Sequence, residues 1–157
     1  MILLKKYGLY IILGILICIS CNNTEYVYEK IETINAGLWN KNHTVSFIVP
    51  ANDSLKYYDL QVYIRNRNDY SYSNLYLFIT VTAPTGATVT DTIQYILANN
   101  EGKWIGKGFS QLWDNRFPFR NNVRFGNKGN YVFNIKHGMR EDELIGITDV
   151  GVSLMEK

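Results

Sequence analysis

The chain has 157 residues, with 16 Lys and Arg against 14 Asp and Glu, and only two Cys. This length is typical of one domain with a single hydrophobic core. Two of the bases, Lys5 and Lys6, precede an apolar N-terminal run, so 16 minus two leaves 14 bases against 14 acids in the rest of the chain. This balance argues against nucleic acid as a partner.

The N-terminal segment is typical of an export signal. Lys5 and Lys6 form a short positive region, and the uncharged, mostly apolar run 7–19 follows them. A membrane-spanning helix needs about 20 apolar residues, whereas this shorter run has the length of a signal-peptide core. Polar residues begin directly after Cys21.

The junction at Cys21 resembles the bacterial lipobox, which places a small residue before an invariant Cys. Ser20 is that small residue, and Cys18 stands where the motif usually has Leu. We therefore predict a lipoprotein signal peptide over residues 1–20, a lipidated Cys21 and a tether over residues 21–25. The alternatives are an uncleaved N-terminal anchor, or an ordinary secretory signal followed by a chance Cys. Cleavage and acylation remove both thiols, which excludes thiol catalysis, CxxC redox chemistry and Cys-ligated zinc.

Beyond the tether, apolar and polar residues alternate in six segments, which is typical of half-buried antiparallel strands. The turn residues Pro84-Thr85-Gly86 predict a hairpin between two of these segments. The six segments are 45–49, 58–64, 75–82, 89–95, 131–135 and 150–154.

These segments predict one all-β domain over residues 26–157. The expected architecture is an antiparallel two-sheet β-sandwich of about seven or eight strands, with immunoglobulin-like and jelly-roll orders both open. Helical pattern is scarce. One short helical turn is predicted at 109–113, and 138–144 is interpreted mainly as a charged connection.

The sequence offers no recognisable catalytic or metal-binding motif. His43 and His137 each lie beside polar residues, where an ordinary exposed histidine is far more common than a catalytic base. The acidic run 141–143 is more typical of a solvated loop than of a metal site. We therefore predict that the protein is not an enzyme and has no cofactor and no metal site.

A polar stretch between two predicted strands is the main candidate for recognition. It mixes Arg, Asn and Tyr side chains, and loops on rigid scaffolds commonly bind partners. A structured turn whose side chains satisfy their own backbone is an equal alternative. The residues assigned to this possible partner-binding loop are Arg65, Arg67, Asn68, Asp69, Tyr70, Tyr72 and Asn74.

The three tryptophans form a second candidate. Trp39, Trp104 and Trp113 are a possible aromatic surface on which sugars would stack, with Tyr70 and Tyr72 beside them. Packing of these rings in or over the core is the favoured alternative, because large aromatics supply much of a small core.

Several pieces of the chain together resemble one family. The stretch 60–78 reads LQVYIRNRNDYSYSNLYLF. It is followed by DT at 91–92, GKWIG at 102–106, NVRF at 122–125, GNY at 129–131, MR at 139–140 and GITDVG at 146–151. In this order, after a lipobox and over essentially the whole mature chain, these pieces resemble the gliding motility lipoprotein GldH family of Bacteroidota.

The resemblance implies an envelope lipoprotein associated with cell gliding and, in that phylum, with type IX secretion. It implies no catalytic residues, and it carries the lipidated Cys onto Cys21. The implied partners are the lipid bilayer, through acylated Cys21, and other gliding or secretion envelope proteins. Residues 22–25 lack a dense acidic run that resembles a surface-export signal. We therefore expect an outer-membrane anchor and a domain facing the periplasm. A glycan- or peptidoglycan-binding lipoprotein with exposed aromatics is the alternative function.

Overall fold

The computed structural model describes residues 26–157, which contain eleven strands and one short 3-10 turn, Asn35–Gly37. The predicted signal peptide, Cys21 and the tether lie outside these residues. In chain order the strands are β1 (Tyr26–Thr33), β2 (Leu38–Asn40), β3 (Val45–Ala51), β4 (Tyr58–Arg67), β5 (Asn74–Thr82), β6 (Thr88–Ile96), β7 (Lys107–Phe109), β8 (Leu112–Val123), β9 (Gly129–His137), β10 (Glu143–Ile145) and β11 (Ile147–Glu156).

Two antiparallel sheets face each other across the core. One has the order β1-β11-β4-β8-β7 and the other β3-β9-β5-β6, while β2 and β10 form a two-stranded ribbon. The predicted all-β antiparallel sandwich is confirmed. The predicted count of seven or eight strands is wrong, because β2, β7 and β10 have only three residues each, too few to show a period.

The core comes from the alternating residues of the predicted strands. In β3, Val45, Phe47 and Val49 are buried while their neighbours are exposed. β-Branched and aromatic side chains pack well on this half-buried pleated surface. The inward side chains of neighbouring strands contact one another and together fill the core between the sheets. The fully buried side chains include Phe47, Ile64, Leu75, Leu77, Ile79, Phe133 and Ile135.

The sandwich has two distinct ends. Tyr26 begins β1 opposite Met155, which pairs in turn with Asp59 of β4. We call this the N-proximal end, and it carries the connections 52–57, 83–87 and 124–128. The opposite, N-distal end carries the 3-10 turn, the β4–β5 loop, the β7–β8 turn and the connection 138–142.

The predicted helical turn at 109–113 is wrong. Phe109 ends β7 and pairs with Leu112, the first residue of β8, across a tight turn. Ser110 has φ 62, and this left-handed conformation reverses the chain instead of winding it into a helix. Within residues 26–157, no helix is long and apolar enough to cross a bilayer.

Candidate interaction surface

The predicted partner-binding loop connects β4 to β5 at the N-distal end. The Arg67 guanidinium donates from Nε and Nη2 to both carboxylate oxygens of Asp69, at 2.9 and 2.8 Å, and from Nη1 to the carbonyl of Ala36 at 3.3 Å. The Tyr70 hydroxyl donates to the carbonyl of Asn74 at 2.7 Å. These bonds hold the loop in one shape, as a structured turn does.

Tyr70 is the packed centre of this loop. Its side chain is 4% exposed, and its ring lies 5.8 Å from Tyr72 and 6.3 Å from Trp104, measured between centroids. Burial raises the pKa of its hydroxyl. On the other side is Gly146, with φ +95, where an added Cβ would lie 2.7 Å from the Tyr70 backbone nitrogen. Tyr70 therefore fixes the loop from inside and is not available to a partner.

Tyr72 and Asn74 also hold the β4–β5 loop in place. The half-buried Tyr72 donates its hydroxyl hydrogen bond to Glu141, and this bond raises the pKa of the tyrosine. The contact joins the β4–β5 loop to the connection 138–142. Asn74 opens β5 and pairs with Ile96. Both residues therefore make contacts within the domain that stabilise the fold.

Arg65 lies in β4, two residues before Arg67, on the outer face of the β1-β11-β4-β8-β7 sheet. Its Nε donates to Asp114 at 2.6 Å, and the hydroxyl of Tyr63 donates to the same oxygen at 2.5 Å. Burial alone would raise the pKa of the Asp114 carboxyl, but the bonds from Arg65 and Tyr63 lower it overall. Arg65 also reaches Asp149 of β11 at 3.5 Å. It thus ties three neighbouring strands together.

The exposed part of the loop continues into the β7–β8 hairpin. The backbone N–H of Asn68 donates to the carbonyl of Gln111 at 3.2 Å. The Oδ1 of Asn68 accepts from Nε1 of Trp113 at 2.6 Å. Asn68 and Asp69 are exposed. The two connections therefore form one continuous surface.

Phe109 dominates this surface. Its side chain is 91% exposed at the hairpin tip, and Leu112, its partner across the turn, is 41% exposed. Asn68, Asp69 and Gln111 supply the polar border. We define the N-distal surface as Asn68, Asp69, Phe109, Gln111 and Leu112.

Sequence reasoning missed Phe109 and Leu112. Both lie in the predicted helical turn at 109–113, and the sequence predicts no hairpin tip there. The usable signal is weak: Gly108 precedes the aromatic, and the ring of Trp113 fills the space where a Cβ on Gly108 would lie, within 2.1 Å. A glycine directly facing a tryptophan across a short connection is consistent with two tightly paired strands.

The three tryptophans do not form a common surface. Trp39 is fully buried; its Nε1 donates to the carbonyl of His43 at 3.0 Å, and its ring meets His137 edge-on at 5.4 Å. The prediction of an aromatic surface is wrong for Trp39, because its side of the β2–β10 ribbon faces the core. Trp104 and Trp113 are half-buried against Tyr70 and Gly108.

The two histidines differ sharply. His43 is exposed as predicted, whereas His137 is 3% exposed, because the inward alternation of β9 runs through to its last residue. Burial lowers the pKa of His137. Among residues 26–157, no group of three His, Cys, Asp or Glu side chains converges as a metal site would require.

The fold and this surface define a class: a small antiparallel β-sandwich that presents a mixed polar and apolar loop surface at the end opposite its N-terminus. The family model described as GldH lipoprotein matches residues 26–154. The chain belongs to the GldH lipoprotein family, a family of lipid-anchored envelope proteins. The resemblance inferred from the sequence is thereby confirmed.

Two relatives resemble the chain over nearly its whole length. It is 36% identical over 154 residues to the gliding motility lipoprotein GldH homolog of Christiangramia forsetii, with 94% of each chain covered. It is 33% identical over 161 residues to the gliding motility lipoprotein GldH of Flavobacterium johnsoniae, with 98% of each covered. Pseudomonas aeruginosa AlgX, a solved structure, matches at 15% identity and a TM-score of 0.39 over 87% of this chain and 27% of that chain. That last likeness is too low to carry an argument.

Proposed function

We propose that the protein is a non-enzymatic assembly component of the gliding motility apparatus and the type IX secretion machinery linked to it, and that it binds partner proteins through the N-distal surface. The names of the two relatives support the motility role. The observation that carries the binding surface is Phe109, an aromatic side chain 91% exposed at a hairpin tip.

An exposed phenylalanine in this setting has the properties of a binding anchor. Burying such a side chain contributes about 1.5–3 kcal/mol, and aromatic anchors with polar rims dominate many interfaces. Leu112 extends the apolar centre, and Asn68 and Asp69 supply hydrogen-bonding groups beside it. Because internal bonds already order the β4–β5 loop, little conformational entropy is lost when a partner binds.

The anchor completes the proposal. We assign the lipid to Cys21, five residues before Tyr26, so the tether spans at most about 17 Å. Two or three acyl chains give durable attachment where a single chain is marginal. The N-proximal end then faces an outer membrane and the N-distal surface points into the periplasm. Cys21→Ala should abolish acylation and cause the precursor to accumulate; an unchanged mature mass would refute the assignment.

The binding surface is tested with Phe109→Ala in cells of the source organism. After crosslinking in living cells, we expect recovery of motility or secretion envelope proteins with the tagged variant to fall about tenfold, the loss typical of an anchor residue. Ile48→Ala, at a residue 58% exposed on the outer face of β3, is the matched control and should recover partners normally. Full recovery with Phe109→Ala would refute this surface.

The glycan-binding alternative lacks a comparable observation. A stacking platform needs exposed, coplanar rings. Trp39 is buried, and Trp104 and Trp113 are half-buried against other residues.

A further inference from the structure

An apolar cleft of about 350 Å³ opens between the two sheets at the N-proximal end. It lies where the β5–β6 hairpin and the C-terminal half of β8 separate. Its volume falls at the lower end of the range of about 300–1,000 Å³ for small-molecule sites. The lining is almost entirely apolar and includes Leu60, Val81, Val89, Val123, Phe125 and Tyr131.

The cleft has one closed side. The rings of Tyr95 and Phe117 stack with centroids 4.5 Å apart, and the Tyr95 hydroxyl donates to the carbonyl of Pro118 at 3.3 Å. These contacts clamp β6 onto β8. Towards the N-proximal end the sheets separate. There Val89 remains 60% exposed, although it lies on the face of β6 that is turned towards the other sheet.

The charges in the lining indicate a neutral ligand. Asp91 and Arg120 are the charged residues that line it, and they neutralise each other at 2.6 Å. Asp91 lies opposite Ile79, four residues before Ala83, so the lining extends about 14 Å along β5. That length is close to one leaflet of a bilayer core about 30 Å thick. An extended hydrocarbon chain fits this combination of length and polarity.

The N-terminus of the domain lies at the same level as the mouth. Tyr26 pairs with Met155, which pairs in turn with Asp59 on the next strand. The Asp59 carboxylate accepts a hydrogen bond from the backbone N–H of Asn122, the residue before Val123 of the lining. Three strand spacings separate β1 from β8, about 14 Å. The tether from Cys21 to Tyr26 spans up to about 17 Å, so a lipid on Cys21 reaches the mouth.

We propose that this cleft holds one acyl chain of the protein's own lipid anchor. The inference rests on the assignment of the lipid to Cys21 under the proposed function. An acyl chain in the cleft draws the domain close to its attachment point, while the remaining acyl chains of the anchor stay in the bilayer. The site is separate from the N-distal surface, which lies at the other end of the sandwich.

The full chain is tested in living cells fed a palmitate analogue that carries a diazirine near its end. After irradiation, digestion and mass spectrometry, we expect adducts on the peptides that contain Val89 or Val123. Val89→Trp fills the cleft and should lower the adducts at least fivefold. Thr92→Trp, exposed on the opposite face of the same strand, is the matched control and should leave them unchanged.

Each other outcome overturns the inference. A labelled N-terminal peptide without cleft adducts, or adducts retained in Val89→Trp, removes the acyl chain from the cleft. Adducts that persist in Cys21→Ala identify a free acyl chain as the occupant, which contradicts the own-anchor proposal. An unlabelled N-terminal peptide refutes the lipid at Cys21, whereas partner recovery through Phe109, measured in the same cells, reports separately on the proposed function.

Discussion

His137 is a titratable side chain that the fold places in the core. It lies beside Trp39, and both of its ring nitrogens are buried. Desolvation by burial lowers its pKa below the ordinary value of 6.5. The folded protein therefore binds a proton less readily than the unfolded chain does. The contribution to stability is complete above about pH 6.5 and is lost as the pH falls below it, until the folded-state pKa is reached.

We therefore expect the urea midpoint to fall between about pH 7.5 and about pH 5.5. His137→Leu should remove most of this pH dependence, since the buried imidazole is then absent. His43→Gln, a change at the exposed histidine, should retain it. An equal pH dependence in wild type and His137→Leu would contradict this explanation.

Gly146 tests the packing behind the β4–β5 loop. Gly146→Ala places a left-handed alanine with its Cβ 2.7 Å from Tyr70. Gly86→Ala has the same backbone cost at φ +86, but nothing lies within 4 Å of the added atom. We expect Gly86→Ala to lower the free energy of unfolding by about 1–2 kcal/mol, and Gly146→Ala by about 1–3 kcal/mol more. Equal losses in the free energy of unfolding, measured by chemical denaturation, would show that the β4–β5 loop shifts at no cost to make room for the added Cβ.

At the scale of the elements, the contact between β6 and β8 decides how the sandwich closes. Phe117 stacks on Tyr95 with an interplanar angle of 10°. Phe117→Ala should cost about 2 kcal/mol, less than the 3–5 kcal/mol of a fully buried phenylalanine, because the ring is half-buried.

Phe109→Ala is the matched change at an exposed phenylalanine and should alter stability by less than about 0.5 kcal/mol. Thermal unfolding of the two variants checks both values. A large loss with Phe109→Ala would mean that the ring is needed for folding and would weaken its assignment as a partner anchor.

The elements also show what sequence pattern could predict. The six alternating segments all lie within strands, and the turn at Pro84-Thr85-Gly86 joins β5 to β6 as expected. β8 was missed because it reads LWDNRFPFRNNV, in which polar residues occur on both faces and register shifts break the period. β1 is an edge strand with charged residues on both faces, so burial imposes little pattern on it.

The candidate site was only partly predictable for a similar reason. Asn68 and Asp69 stand out as turn residues in a polar run, and they remain on the N-distal surface. Whether Tyr70 points in or out depends on Gly146, which is distant in sequence and approaches only in the folded chain. Phe109 joins the surface through a three-residue strand whose position is set by pairing with β8. Long-range pairing of this kind leaves no local signal.

The sandwich as a whole has two opposite ends with different proposed roles. The N-proximal end carries the connection to the proposed lipid and the apolar cleft, while the N-distal end carries Phe109. The strands between them pair continuously across each sheet, so the sandwich works as a spacer of fixed length. An anchored protein of this shape presents one surface away from the membrane and keeps the other against it.

The most direct test places a photo-crosslinking amino acid at Phe109 or at Leu55 in the otherwise native lipoprotein, in living cells. Leu55 is 76% exposed in the 52–57 connection at the N-proximal end, so its side chain projects from the domain at the end opposite the proposed partner-binding surface. We expect adducts with identified gliding or secretion envelope proteins from position 109 and not from position 55. The same proteins captured from both positions, or from position 55 alone, would contradict partner binding through the N-distal surface.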